Sequence, residues 1–220
     1  MPKLQEIGLS PRVLSRDHSA FPVVHIGTDT FSDAKIQNTV NNFNNRYNSP
    51  VSWDVDPTNP SYNGGIKIEM KFARKKDKNS EEPNSYSSII SVEYMGWKIL
   101  LTGDNNKEIL NNRIAEEAEF SNWLKGCHIL LAPHHGRETD FCENFFNLAN
   151  PLITIVSDKN IEYGSQETTS TNYCNDKGLY VNGSQEKRQV LTTRKDGTIS
   201  VWISDEGKYD IKTGATSYGR

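Results

Sequence analysis

Cysteine is scarce in this sequence: there are 3, at Cys127, Cys142 and Cys174, with no C-x-x-C spacing among them. That odd, scattered set excludes a disulfide framework and a cysteine-rich zinc site, and predicts the reduced thiols of a cytoplasmic protein. Apolar runs are short. No stretch nears the roughly 18 consecutive apolar residues of a membrane span. The opening MPKLQEIGLSPRVL has neither a long apolar core nor a small-residue cleavage site, so neither a membrane segment nor a signal peptide is expected. A surplus of one charge is also missing. The formal net charge is −3 and the pI about 6.0; there is no basic footprint for nucleic acid, and a phosphodiester substrate is neither supported nor excluded. Histidine occurs only 5 times in 220 residues, so the adjacent pair His134 and His135 in LLAPHHGRET is conspicuous.

The length suits one large domain or two small ones and can bury a core without staples. Ile36, Val40, Phe43 and Tyr47 fall on one helical face behind Ser32 or Asp33 as a cap. IKIEMKFA (66–73) alternates as a half-buried strand does, and RKKDKNSEEPNS (74–85) is a solvated loop. SSIISVEY, then MG, then WKILLTGD reads as strand, tight turn and strand. Residues 106–126 place Ile109, Leu110, Ile114, Ala118 and Leu124 near one face of a single helix that stops at Gly126. CHILLA (127–132) and LITIVS (152–157) are buried strands around a helix over 140–150. A further helix is expected over 168–178, then a strand at LYV, then a hairpin over 190–204 turning on Lys195-Asp196-Gly197. This order predicts a layered α/β (α+β) fold with mixed strands.

Asp104 closes the apolar run of LLTGD, with glycine just before it. A carboxylate at the C-terminal edge of a strand is where α/β layers put active-site groups; capping the following helix is the plainer role. PHHG follows the next strand, one strand-helix unit later, so Asp104 and the histidine pair are expected to converge at one sheet edge. Imidazole and carboxylate are the usual ligands of hydrolytic zinc or manganese. Pro133 and Gly136 would shape a turn in which the two neighbouring histidines do different jobs.

SSIISVEYMGWKILLTGD, LLAPHHG, ITIVSDKNIEYGS and VLTTRKDGTISVWIS, in that order over about Asn84 to Asp205, together resemble the C-terminal half of ComEC-type metallo-β-lactamase-fold hydrolases. The resemblance implies a partial αββα sandwich of mixed β-sheets and flanking helices, with a two-metal zinc or manganese site at one edge. It implies that Asp104 bridges the metals, that His135 ligates one of them, and that His134 stands beside it as a catalytic group facing substrate or a supporting partner. It also implies that Tyr163, Gly164 and Ser165 form a substrate loop, and that the reaction is metal-dependent hydrolysis, often of phosphodiesters. On this reading 1–220 is one domain: a divergent lead-in (1–83), the family-like half (84–205) and a tail (206–220).

Two departures qualify the resemblance. The family's principal H-x-H-x-D-H motif is absent; the nearest histidines, His18 and His25, lack its spacing and read as structural or surface residues. Ser165 stands where relatives carry histidine, and serine neither ligates metal comparably nor serves as a general acid at neutral pH. The expectation is a chain that begins after the first metal motif and is inactive alone. Its expected partner is a second polypeptide supplying the missing N-terminal half across an open sheet edge. The alternative is a degenerate, non-catalytic module of the same fold that binds a partner or ligand. Nucleic-acid binding rests only on the family's frequent substrates, and the acidic balance argues against it.

Overall fold

The computed structural model describes residues 59–61, 63–71, 84, 87–158 and 172–214. The helix read around Ile36–Tyr47, most of the 74–85 loop, His18, His25 and the Tyr163–Ser165 loop lie outside these residues. The central feature is a six-stranded sheet, antiparallel along one half and parallel along the other. Its antiparallel side is β1 (Lys67–Lys71), β2 (Ile89–Tyr94) and β3 (Trp97–Leu101). Met95 and Gly96, at φ 46° and 80°, supply the doubly left-handed turn whose twist suits a two-residue hairpin.

From β3 onward the sheet is parallel, through β4 (Ile129–Leu131), β5 (Ile153–Val156) and β8 (Val190–Thr192). Parallel neighbours need crossovers: α1 (Lys107–Glu116) and α2 (Ala118–Leu124) link β3 to β4, and α3 (Glu143–Ala149) links β4 to β5. The two-residue period of the strands sorts their side chains onto two faces. Leu100, Leu130 and Val156 pack under the helices with Leu110, Phe120, Leu124 and Phe145. Ile129, Ile153 and Leu191 face the other way, against Leu179, Val181 and Ile211. That second face is covered by the ribbon of β9 (Ile199–Ile203) and β10 (Tyr209–Thr213). The short pair β6 (Leu179–Tyr180) and β7 (Lys187–Arg188) forms a second ribbon. The fold is thus mixed α/β, helices over a mixed sheet over β-ribbons. No helix among the described residues is long and apolar enough to cross a membrane.

Four expectations need correction. The single helix over 106–126 is two, broken at Glu117, whose backbone is extended (φ −127°, ψ 92°). A continuous helix would set Glu116 and Glu119 at i, i+3, a like-charge pair, while Glu117 reaches Arg113 at 3.5 Å. Gly126, at φ 75°, does follow the second helix as expected. The hairpin over 190–204 does not form. Val190–Thr192 pairs parallel with β5, and Ile199–Ile203 pairs with β10. Between them, Thr193–Asp196 forms one helical turn (α4), capped by the Thr192 hydroxyl, and the Asp196 carboxylate accepts from the Thr192 N–H at 2.8 Å. That turn redirects the chain from one layer to the next. The helix expected to run to Gly178 is absent over 173–178. Asn175 instead accepts from the Lys177 N–H at 2.9 Å and donates to the Pro151 carbonyl at 2.8 Å, a local side-chain turn that competes with helix. Finally, part of the tail from 206 onward is β10, whose Ile211 is buried in the second core.

Phe120 is 1% exposed, and the Arg113 guanidinium lies 4.3 Å from its ring centre. Truncating it leaves a cavity and removes that stacking. Phe120→Ala should therefore lower unfolding free energy by about 3–5 kcal/mol; a urea midpoint unchanged from the parent would contradict this packing. At the opposite end of the sheet, His128 Nδ1 accepts the Lys98 backbone N–H at 3.1 Å, and its ring meets Trp97. Burial, with help from Lys177 and Lys98, holds the imidazole below its usual pKa. The unfolded chain then binds the proton more readily, so stability present above about pH 6.5 is lost as pH falls toward the folded value. Between about pH 7.5 and pH 5.5, the parent should lose more stability in urea titrations than His128→Gln does. Equal losses would remove His128 from the account.

Candidate metal centre

β3 and β4 are aligned, with Leu101 opposite Leu131, so both strands end at the same edge of the sheet. Lateral bonds continue past the strand ends, tying the two exit loops to each other and the second of them to β5. The Thr102 hydroxyl donates to the Leu131 carbonyl at 2.5 Å, the His134 N–H donates to the Gly103 carbonyl at 3.0 Å, and the Ala132 N–H donates to the Ile155 carbonyl at 2.8 Å. Gly103 is needed here. Its φ is +57°, and a Cβ would sit 3.2 Å from the Ser88 carbonyl oxygen. The Asp104 N–H reaches the Ser87 hydroxyl at 3.2 Å. Asp104 does not cap α1; Asn106 does, accepting from the Ile109 N–H at 3.0 Å. The plainer role for Asp104 is therefore filled by another residue.

The PHHG stretch is a tight 3₁₀ turn in which His134, His135 and Gly136 are all left-handed, at φ 47°, 55° and 66°. Each of the two non-glycine residues costs about 1–2 kcal/mol in that conformation, and such strain concentrates at functional sites. Its effect is to send the two rings in different directions.

His135 turns toward Asp104. Its Nδ1–H donates to the Ser157 carbonyl at 2.7 Å, and its Nε2 stands 3.5 Å from Asp104 Oδ1. In a neutral ring with the proton on Nδ1, Nε2 is a lone pair facing a carboxylate: two acceptors looking at each other. Either a second proton or a cation belongs between them. The separation is long for a hydrogen bond. It is close to the about 3.4 Å that nitrogen and oxygen ligands of one tetrahedral zinc keep from each other. Imidazoles that bind metal commonly donate their other N–H to a carbonyl in this way. The two side chains are 52% and 45% exposed, so an ion can reach them from solvent.

His134 turns inward. Its Nδ1 lies 2.8 Å from Asp140 Oδ2, and its Nε2 lies 3.4 Å from the Asn84 amide nitrogen. The Asp140 approach is close but off the alignment of a hydrogen bond, which leaves Nδ1 with a charge contact rather than a bonded partner. His134, Asp140, Thr139, Asn106, Lys107 and Asn111 line an open cavity of about 600 Å³.

Of the predicted site residues, Asp104 and His135 come together as expected, His134 stands beside them on a separate partner, and Tyr163, Gly164 and Ser165 lie outside the described residues. Asp140 and Ser157 have no such sequence signal: Asp140 falls in the stretch whose pattern predicts a helix over 140–150, and Ser157 acts through its main chain, which leaves no trace in side-chain patterning. Among the described residues no group of three or more potential metal ligands assembles. Asp104 and His135 fit a metal as a pair and fall short of a tight site by at least one ligand. The chain matches no family model and no curated protein.

Zinc titrated into the metal-free chain should therefore bind weakly, and His135→Ala and Asp104→Asn should each reduce the affinity at least about tenfold. Identical isotherms for the parent and both variants would show that the pair does not hold the ion.

Proposed function

We propose that this chain carries part of a metal-dependent hydrolase centre. More narrowly, the reading is a metallo-β-lactamase-fold phosphodiesterase of the ComEC type, with the remaining ligands supplied by residues outside those described or by a second polypeptide. The observation that carries the proposal is the His135–Asp104 pair: two acceptors 3.5 Å apart, with the histidine oriented by the Ser157 carbonyl. The ordered resemblance of the TGD, PHHG and DG-containing stretches supports the family assignment.

A bound zinc or manganese would supply an activated water and polarise the phosphoryl oxygens. The chain's own contributions are distinct. Asp104 and His135 would hold the ion from two strand ends. His134, with Asp140 near Nδ1 and the Asn84 amide near Nε2, lines the open cavity and would be the group that moves a proton there. Lys107, at the start of α1, is the cationic group on a cavity wall that also carries Glu108 and Asp140, and would be the contact for a phosphoryl oxygen.

A second reading, a non-catalytic module that binds a partner or ligand, is favoured by the two-ligand count among the described residues and by Ser165 in the sequence. Catalysis separates the two. The isolated 220-residue chain should turn over bis(p-nitrophenyl) phosphate little or not at all. The protein purified from its source with whatever accompanies it should hydrolyse that substrate, lose the activity to EDTA, and lose at least about 100-fold with His135→Ala. Source material with no chelator-sensitive turnover would favour the binding module. Robust chelator-sensitive turnover by the isolated chain would overturn the incompleteness proposed here.

A further inference from the structure

β5 and β8 are parallel neighbours, with Val156 opposite Thr192. Beyond that register their exit loops remain joined by a set of bonds that no backbone ladder requires. The Asp158 N–H donates to Thr193 Oγ1 at 2.8 Å, and the Thr193 hydroxyl donates back to the Asp158 carbonyl. Asp158 Oδ1 accepts from the Arg194 N–H at 3.1 Å, and its Oδ2 lies 3.4 Å from the Arg194 guanidinium. The Asp158 side chain is 2% exposed and that of Arg194 15%. Burying a carboxylate is costly unless it is paired and hydrogen-bonded, as Asp158 is here.

The consequence lies one bond away. The Asp158 N–H and the Ser157 C=O belong to the same planar peptide, and in a trans peptide they point in opposite directions. The N–H is held by Thr193 on one side, so the carbonyl is aimed to the other, where it accepts from His135 Nδ1 at 2.7 Å. Thr193 fixes the plane, and Asp158 with Arg194 fixes the loop that carries it. A carbonyl free to rotate would not dictate which ring nitrogen of His135 bears the proton.

We infer that Thr193 and Asp158 are positioning residues for His135: through the 157–158 peptide they hold its imidazole in the Nδ1–H form and keep the Nε2 lone pair on the Asp104 side. The use of that lone pair for a metal rests on the hydrolase reading; the positioning itself does not. A latch that served only to end the β5–β8 pairing would affect stability and leave the histidine proton where it is. The tautomer is therefore the decisive readout.

The test uses the metal-free full chain at about pH 8, where an ordinary histidine is neutral, and two-bond nitrogen–proton correlation spectra of the ring. The parent should show a protonated Nδ1 and an unprotonated Nε2 at His135. Thr193→Val, which removes only the hydroxyl, and Asp158→Ala should each move a large share of the population to the Nε2–H form, and Thr193→Ser should restore the parent pattern. Zinc affinity in the same variants should fall by about 10- to 100-fold. Folded variants whose His135 stays in the Nδ1–H form, or a parent already in the Nε2–H form, would overturn the inference. If Asp158→Ala does not fold, Thr193→Val and its serine rescue decide alone. A tautomer that moves in a chain that binds no zinc would uphold the latch and count against the metal reading.

Discussion

Everything of chemical interest in this molecule depends on the parallel pairing of β3 with β4. Leu101 and Leu131 end their strands side by side, and the chain leaves both in the same direction. Two loops far apart in sequence then share one edge, where the His134 N–H and the Gly103 carbonyl bind them together. The pairing is held from both faces of the sheet: Leu100 and Leu130 under the helices, Ile99 and Ile129 against the ribbons. A one-residue slip would exchange these faces and break the edge at the same time. The same hydrophobic alternation that closes the core thus sets the register on which the Asp104–His135 distance depends.

Upon that edge the sequence spends conformational energy. Two consecutive non-glycine residues in the left-handed region are tolerated because the surroundings over-determine them: Pro133 and Gly136 are buried on either side, and each ring has partners of its own. The resulting division of labour, one histidine toward Asp104 and the other toward Asp140, is the structural content of the doubled histidine. Support for the outer ring comes from a third and a fourth strand, through Ser157 after β5 and Thr193 after β8. The His135–Asp104 pair is therefore supported from four consecutive parallel strand ends.

Much of this was legible in the residues. The strands at Ile89–Tyr94, Trp97–Leu101, Ile129–Leu131 and Ile153–Val156 show either clean alternation or short apolar runs, and the convergence of Asp104 with His135 follows from strand order alone. Other features were hidden for physical reasons. Lys195-Asp196-Gly197 looks like a hairpin turn, but whether Ile199–Ile203 folds back on β8 or crosses to β10 is decided by which face its apolar side chains can cover. The break at Glu117 leaves no mark on the apolar stripe, which continues across it through Ile114, Ala118 and Leu124. Asp140 opens the stretch whose pattern predicts a helix and instead ends a 3₁₀ turn over Glu138–Asp140, with nothing in the sequence to mark it as a partner for His134. The Ser157 carbonyl, like any main-chain group, has no signature in the sequence.

The most direct test of the central claim is anomalous scattering measured above and below the zinc edge from crystals grown with zinc. The account predicts an anomalous peak between His135 Nε2 and an Asp104 carboxylate oxygen, about 2.0–2.2 Å from each. Zinc bound elsewhere on the chain, with the imidazole donating a proton directly to Asp104, would mean that the pair is a salt bridge and that the strand edge holds no metal.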